Sequence, residues 1–161
     1  MLGAAGELRR AGFEIDVHGC RQMSEGLRLL AARRRAGSLP RVAVVALGSN
    51  WTVTMADIAR GRRILGPERV LGLVTPTGPN RGDAARMRAA ARRWPARVKL
   101  LDWVAYSAGR SWTWDGLHLT PAGAAGFARL LSRVFSWPIP RLGSEVEGIG
   151  ETRPGEERLR P

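Results

Sequence analysis

Apolar and polar positions change period several times along this chain. From Leu2 to Ala11 the apolar residues keep helical spacing, and Gly12 is placed to stop the helix. Phe13-Glu14-Ile15-Asp16-Val17 then alternates apolar and polar, which predicts a strand near a sheet edge. Residues 23 to 36 set Met23, Leu27, Leu30 and Ala31 on one helical face, and Gly37 follows. Arg41 leads into the unbroken apolar run Val42 to Leu47, as expected of a strand buried on both faces of a parallel sheet. A helix over about 53 to 65, the strand Val70–Val74, a loop marked by Pro76, Gly78, Pro79 and Asn80, and a helix over about 83 to 93 come next. Val98–Leu101 reads as a fourth strand, and Thr120-Pro121 opens a last helix that runs to about Phe135. Strands alternating with helices predict an α/β domain whose parallel sheet is covered on both faces. Beyond Pro138 the pattern fades. Residues 139 to 161 are rich in Pro, Gly and Glu and are predicted to be a disordered tail, leaving 1 to 138 as the domain. No internal repeat is visible.

Length and composition narrow the classes. The chain has 161 residues, 44% of them hydrophobic and 25% charged, which fits one folded domain and excludes wholesale disorder. No apolar run approaches the length of a membrane span, and the opening residues do not form a signal peptide. The single cysteine, Cys20, excludes an internal disulfide framework and a thiolate-rich zinc site. The net charge of +12 is carried by arginine, with Lys99 the one lysine. Short groups stand at Arg33-Arg34-Arg35, Arg62-Arg63 and Arg92-Arg93, each inside a predicted helix. Arginine in place of lysine, with abundant Ala and Gly, is the expectation for the codon usage of a GC-rich bacterial genome. Nucleic-acid binding and attraction to acidic polymers or membrane surfaces are the competing accounts, and no nucleic-acid partner is expected.

In open α/β sheets the working groups lie in loops at the carboxyl ends of the strands. One such loop is Gly48-Ser49-Asn50-Trp51, where glycine allows a sharp turn and the Asn50 amide can donate a hydrogen bond. It is equally the composition of an ordinary strand-to-helix turn. A second is His18-Gly19-Cys20-Arg21-Gln22, whose backbone amides could face the same crevice. Cys20 beside Arg21 could be a thiolate nucleophile or an inert small hydrophobe, and His18 reads as a surface histidine. The third, Trp114-Asp115-Gly116-Leu117-His118-Leu119-Thr120-Pro121, places an aspartate and a histidine three apart just before a helix. That spacing lets the carboxylate take a hydrogen bond from one imidazole nitrogen while the other faces a substrate, the orienting half of a Ser-His-Asp triad. The motif is weak by itself and gains force from its place before the last helix. Trp103, Tyr106, Trp112 and Trp114 crowd this segment, either as a platform for an acyl group or sugar or as packing for a long loop. Arg21, Trp112 and Trp114 are candidate substrate contacts, whereas Trp51 and Trp94 are expected to pack.

Gly48-x-Asn50 after a buried strand, with Asp115-x-x-His118 before the last helix, resembles the SGNH (GDSL-type) hydrolases over roughly residues 1 to 135. The likeness is to the SGNH domains of polysaccharide and peptidoglycan O-acetyltransferases, where Arg21-Gln22, Gly48-Ser49-Asn50, Leu101-Asp102-Trp103 and Asp115-Gly116-Leu117-His118-Leu119 look like recurring pieces in order. The resemblance implies a flavodoxin-like three-layer α/β/α fold with a parallel sheet. It implies Asp115 and His118 as triad members, and an oxyanion hole from Asn50 in the Gly48 loop with a backbone amide at Gly19-Cys20. It further implies a small acyl ester, acetyl above all, on a hydroxylated acceptor such as a glycan, with no metal or organic cofactor and an extracytoplasmic setting. One departure matters. The Gly-Asp-Ser turn that carries the nucleophile is not present, and Ser24, Ser38, Ser107 and Ser111 do not follow a buried strand in the required way. By the resemblance that serine would lie about two residues before Met1, together with the first strand. The 161 residues alone are therefore expected to lack the first strand and to be nearly inactive. A noncatalytic ligand-binding protein, an arginine-rich nucleic-acid binder and thiol chemistry between Cys20 and His118 are the alternatives.

Overall fold

A short 3-10 turn, Leu2–Ala4, leads into helix α1 (Ala5–Arg10), which stops where Gly12 takes a φ of 85°. The computed structural model describes residues 2–78, 80 and 82–135, and the predicted tail lies outside them. Helix α2 (Met23–Arg35) begins on Gln22, whose backbone N–H donates to the Glu25 carboxylate at 2.8 Å. Strand β1 (Val42–Val45) precedes α3 (Met55–Leu65). The start of α3 is closed by a reciprocal pair: Asp57 N–H donates to the Thr54 hydroxyl at 3.1 Å and Thr54 N–H to the Asp57 carboxylate at 3.0 Å. Strand β2 (Val70–Val74), α4 (Gly82–Arg93), β3 (Val98–Leu101), α5 (Trp103–Ser107) and α6 (Pro121–Phe135) complete the described chain.

The three strands are parallel in the order β1-β2-β3, with Val42 beside Val70 and Leu71 beside Val98. Strand geometry sends alternate residues to opposite faces, and each face has its own core. On one face Ala43, Val45, Leu71, Leu73 and Val98 pack with Leu27, Ile58 and Met87 from α2, α3 and α4. On the other, Val74 and Leu101 pack with Leu8, Trp103, Phe127 and Leu131 from α1, α5 and α6. This is the expected α/β arrangement of helices over both faces of a parallel sheet. Gly72 matters to it: a Cβ there would lie 3.1 Å from Val44, 3.2 Å from Leu101 and 3.4 Å from the Phe135 ring, so glycine lets the end of α6 approach the sheet. Among the described residues, no helix is long and apolar enough to cross a membrane.

Two expectations are corrected. Phe13–Val17 is not a strand. Its alternation survives as alternating burial, with Phe13, Ile15 and Val17 half-buried and Glu14 and Asp16 exposed. The Phe13 ring meets Phe135 edge-on at 6.0 Å. Strand β1 is bonded through one edge to β2, and no described strand runs along its other edge. The segment therefore has no ladder to join, and pattern alone cannot supply one. Strand β1 is also shorter than the apolar run from Val42 to Leu47, because Ala46 and Leu47 already turn toward the Gly48 loop.

Candidate active site

The loops that follow β1, β2 and β3 gather at the carboxyl end of the sheet. After β1 the chain turns at Gly48, with φ 123°, where a Cβ would come within 3.2 Å of Pro76. The Asn80 amide donates to the carbonyls of Gly48 at 3.0 Å and Ser49 at 3.3 Å, tying the Gly48 loop to the loop after β2. Asp83, 2% exposed, accepts the Val53 N–H at 2.6 Å and pairs with Arg86, so the far end of the same loop is held from α4. Between these anchors Asn50 is exposed, and its side-chain amide has no hydrogen-bond partner among the described residues. Trp51, expected to pack, is instead 63% exposed. Leu117 reaches toward Gly78, 3.7 Å from where a Cβ would stand, so the loop after β2 lies between the Gly48 loop and the Asp115–His118 loop.

The Asp115–His118 loop is closed by its own backbone. Trp114 N–H donates to the His118 carbonyl at 2.8 Å, and Thr113 and Leu119 form an antiparallel bridge. One Asp115 oxygen accepts the N–H groups of Leu117 at 2.9 Å and His118 at 2.7 Å, and the other meets His118 Nδ1 at 2.7 Å. The hydrogen bonds from the His118 backbone N–H, the His118 ring and the Leu117 N–H hold the Asp115 carboxyl well below the usual carboxylate range. An ionised aspartate on Nδ1 keeps the proton there, which leaves Nε2 as the basic nitrogen. Nε2 has no partner among the described residues, and the His118 side chain is 73% exposed. The aspartate is thus ionised, and the histidine is oriented and open.

The remaining sequence candidates fall into two groups. Gly19 and Cys20 form a turn, with Cys20 exposed at φ 57°, an unusual backbone for a residue with a side chain. That turn enters α2, whose Gly26 packs on Leu47 at the end of β1, so it shares the end of the sheet with the Gly48 loop. Arg21 is held by Asp16 at 2.7 Å. Trp112 is committed to packing: it stacks on Trp103 with centroids 5.6 Å apart and fills the space over Gly123 and Gly126 of α6. Trp114, by contrast, is 74% exposed beside Asp115. Sequence reasoning missed the supports of the site, namely Asn80, Asp83 and a network below β3. In that network Asp102 takes a bidentate pair from Arg88 at 2.7 and 2.9 Å and the Thr75 hydroxyl at 3.1 Å, while Thr75 accepts the Val104 N–H at 3.0 Å. Among the described residues no group of three His, Cys, Asp or Glu side chains could hold a metal ion.

The architecture has a solved counterpart. The C-terminal catalytic domain of peptidoglycan O-acetyltransferase A (OatA) from Streptococcus pneumoniae, determined with a methylsulfonyl adduct, superposes with a TM-score of 0.70 at 21% identity, covering 84% of this chain and 87% of that one. The chain has the fold of that domain. The α/β architecture with a parallel sheet that the sequence pattern implies is therefore the observed one. No protein-family model matches the chain, and no curated protein does.

Proposed function

We propose that this SGNH-type domain belongs to an esterase or O-acyltransferase that handles a small acyl group, acetyl above all, on a hydroxylated acceptor such as a glycan. The observation that carries the proposal is the Asp115–His118 pair, 2.7 Å apart and exposed at the carboxyl end of the sheet with Nε2 unoccupied. In this reading His118 Nε2 takes the proton from a serine hydroxyl as the oxygen attacks the acyl carbonyl, and returns it to the departing alcohol. Asp115 holds the tautomer and balances the imidazolium. The Asn50 amide and a backbone N–H of the Gly19-Cys20 turn receive the oxyanion. Water then releases the acyl group as acid, or a sugar hydroxyl carries it away. Arg21 and Trp114 are the candidate substrate contacts.

We place the serine on a strand preceding Met1. Two features support this. Among the described residues β1 has one edge without a neighbouring strand, and segment 13–17 has the alternation of a strand without a ladder, as expected where a further strand is needed. Gly3 also lies beside the Leu119 carbonyl, 3.6 Å from where a Cβ would stand, so the 3-10 turn itself is next to the His118 loop. The test is to sequence the N-terminal peptide of the native protein, then assay acetyl-ester turnover by that full protein and its His118→Ala variant. A Gly-Asp-Ser peptide with turnover lost on the substitution is expected. A native chain starting at Met1 with saturable ester or glycan binding and no turnover would establish the noncatalytic reading instead.

A further inference from the structure

The arginine excess has a location. Arg33, Arg34 and Arg35 close α2, Arg62 and Arg63 close α3, and Arg92 and Arg93 close α4. Each helix runs back to the start of a parallel strand, so all these ends lie at the amino end of the sheet, opposite Asp115 and His118. Arg41, Arg69 and Arg97 stand just before β1, β2 and β3 at the same end. The connections from these helices to the strands carry a single acid, Glu68, and Glu14 comes in from outside to pair with Arg33 at 2.5 Å. At the other end the first turns of α2, α3 and α4 carry Glu25, Asp57 and Asp83, and Arg21, Arg86 and Arg88 are each paired with an aspartate. In α2, α3 and α4 and the loops that flank them, the arginines near the site end stand beside aspartates, whereas those at the opposite end outnumber the acids there.

Part of this basic end is structural. Arg34 donates to the Ile64 carbonyl at 2.7 Å, Arg69 to Leu39 at 3.2 Å, and Arg97 to Arg69 at 3.0 Å and to Gly66, so guanidinium groups clamp the carbonyls at the end of α3. One cation near each helix end would serve the helix dipole. The number present exceeds that, and they repel: burial first and then the neighbouring Arg62 charge make Arg97 easier to deprotonate than a free arginine. Arg62 Nε is buried with no partner. Arg35, Arg63 and Arg92 are exposed on three different helices and form no ion pair or hydrogen bond among the described residues. Codon usage would account for arginine in place of lysine. It would not account for seven arginines in the last turns of α2, α3 and α4, all at one end of the sheet.

We propose that the amino end of the sheet is a docking face for an anionic phospholipid surface. The charges are spread over the ends of three helices, as a broad surface requires. Recognition of nucleic-acid bases would use a free aromatic for stacking or a helix for a groove. Here the one aromatic, Trp94, already carries Arg62 at 5.0 Å and Arg93 at 5.2 Å from its ring centroid, and the helices present their ends. Docked this way, the Asp115–His118 loop faces away from the bilayer.

The test is cosedimentation of the full protein with vesicles of phosphatidylcholine alone or with about a third phosphatidylglycerol, at about 0.1 M and about 0.5 M salt. Partition onto the anionic vesicles alone, lost at the higher salt, is expected. The triple change Arg35→Glu, Arg63→Glu and Arg92→Glu should weaken it by about 100-fold or more. The matched triple Arg28→Glu, Arg110→Glu and Arg129→Glu, equal in net charge but away from these helix ends, should weaken it less than about tenfold. Circular dichroism checks that both variants fold. Equal loss in the two triples would show that net charge acts without a face, and overturn the proposal. So would equal binding to neutral vesicles, or binding to duplex DNA without binding to anionic vesicles.

Discussion

Asp102 and Asp115 both lie at the carboxyl end of the sheet, and hydrogen bonds hold both carboxyls below the ordinary range, yet they are built in opposite ways. Asp115 is exposed, and all its partners, the Leu117 and His118 N–H groups and the His118 ring, stand within three residues of it. Asp102 is partly buried, and its main partners, Thr75 and Arg88, come from β2's exit and from α4. Burial pushes the Asp102 carboxyl up, but hydrogen bonds from Arg88, the Ala105 N–H and Thr75, with the Arg88 charge, bring it down overall. A loop that satisfies itself can display a charged pair to solvent without involving the core. A carboxylate that ties separate elements together is committed to holding them in place. Ionisation alone does not distinguish the two; the origin of the partners does.

The sharpest way to break this comparison is to remove charge from each aspartate in turn. In the serine-bearing native protein, Asp115→Asn should lower turnover by about 10⁴, because the amide favours the wrong imidazole tautomer. Its chemical denaturation midpoint should stay close to that of the parent, since the loop is at the surface. Steady-state kinetics and a urea titration on the same sample check both halves. A fall in stability as large as that of a core variant would show that the loop is part of the core after all.

Next in size is Trp112→Ala. Trp112 stacks on Trp103 and covers Gly123 and Gly126, where a Cβ would overlap its backbone and ring, so the α6 surface is shaped to this one side chain. Truncation should cost about 3 kcal/mol by urea unfolding. Asp102→Asn follows, at about 2 kcal/mol, through the lost charge-assisted pair with Arg88. This loss has a pH signature. The folded carboxyl titrates below its unfolded value, so its contribution is complete above about pH 4 and disappears as pH falls through the folded value. The stability gap between parent and Asp102→Asn should therefore be widest near neutrality and close on acidification. A gap that widens toward low pH would reverse the assigned sign.

Much of the fold was legible because its signals are local. The runs at Val70–Val74 and Val98–Leu101 and the Thr120-Pro121 helix start appear where the pattern puts them. Asp115 and His118 were legible for the same reason, being three residues apart in a self-closed loop. The failures are of another kind. Phe13–Val17 has the alternation of a strand, but a strand needs a neighbour, and no described one lies beside it. Asp83 supports the Gly48 loop by accepting the Val53 N–H thirty residues back, and Arg88 reaches Asp102 across α4 and β3. Nothing in the local sequence marks either contact. Trp51 was expected to pack on grounds of residue type alone, and its exposure shows that a turn pinned by Asn80 and Asp83 does not need it.

The smallest stability effect sharpens the comparison most finely, because it sets two tryptophans two residues apart against each other. Trp114 is 74% exposed, and its backbone N–H already satisfies the His118 carbonyl. Trp114→Ala keeps that hydrogen bond and removes little buried surface. It should change unfolding free energy by less than about 0.5 kcal/mol. If the exposed indole stacks on an acceptor ring, the same change should raise KM for a glycan acceptor while leaving kcat on a small acetyl ester unaltered, since the ester does not reach it. Paired assays with the two substrates separate the possibilities. A variant as unstable as Trp112→Ala would place Trp114 in the packing of the loop, and a KM unchanged for both substrates would leave the indole without a part in acceptor binding.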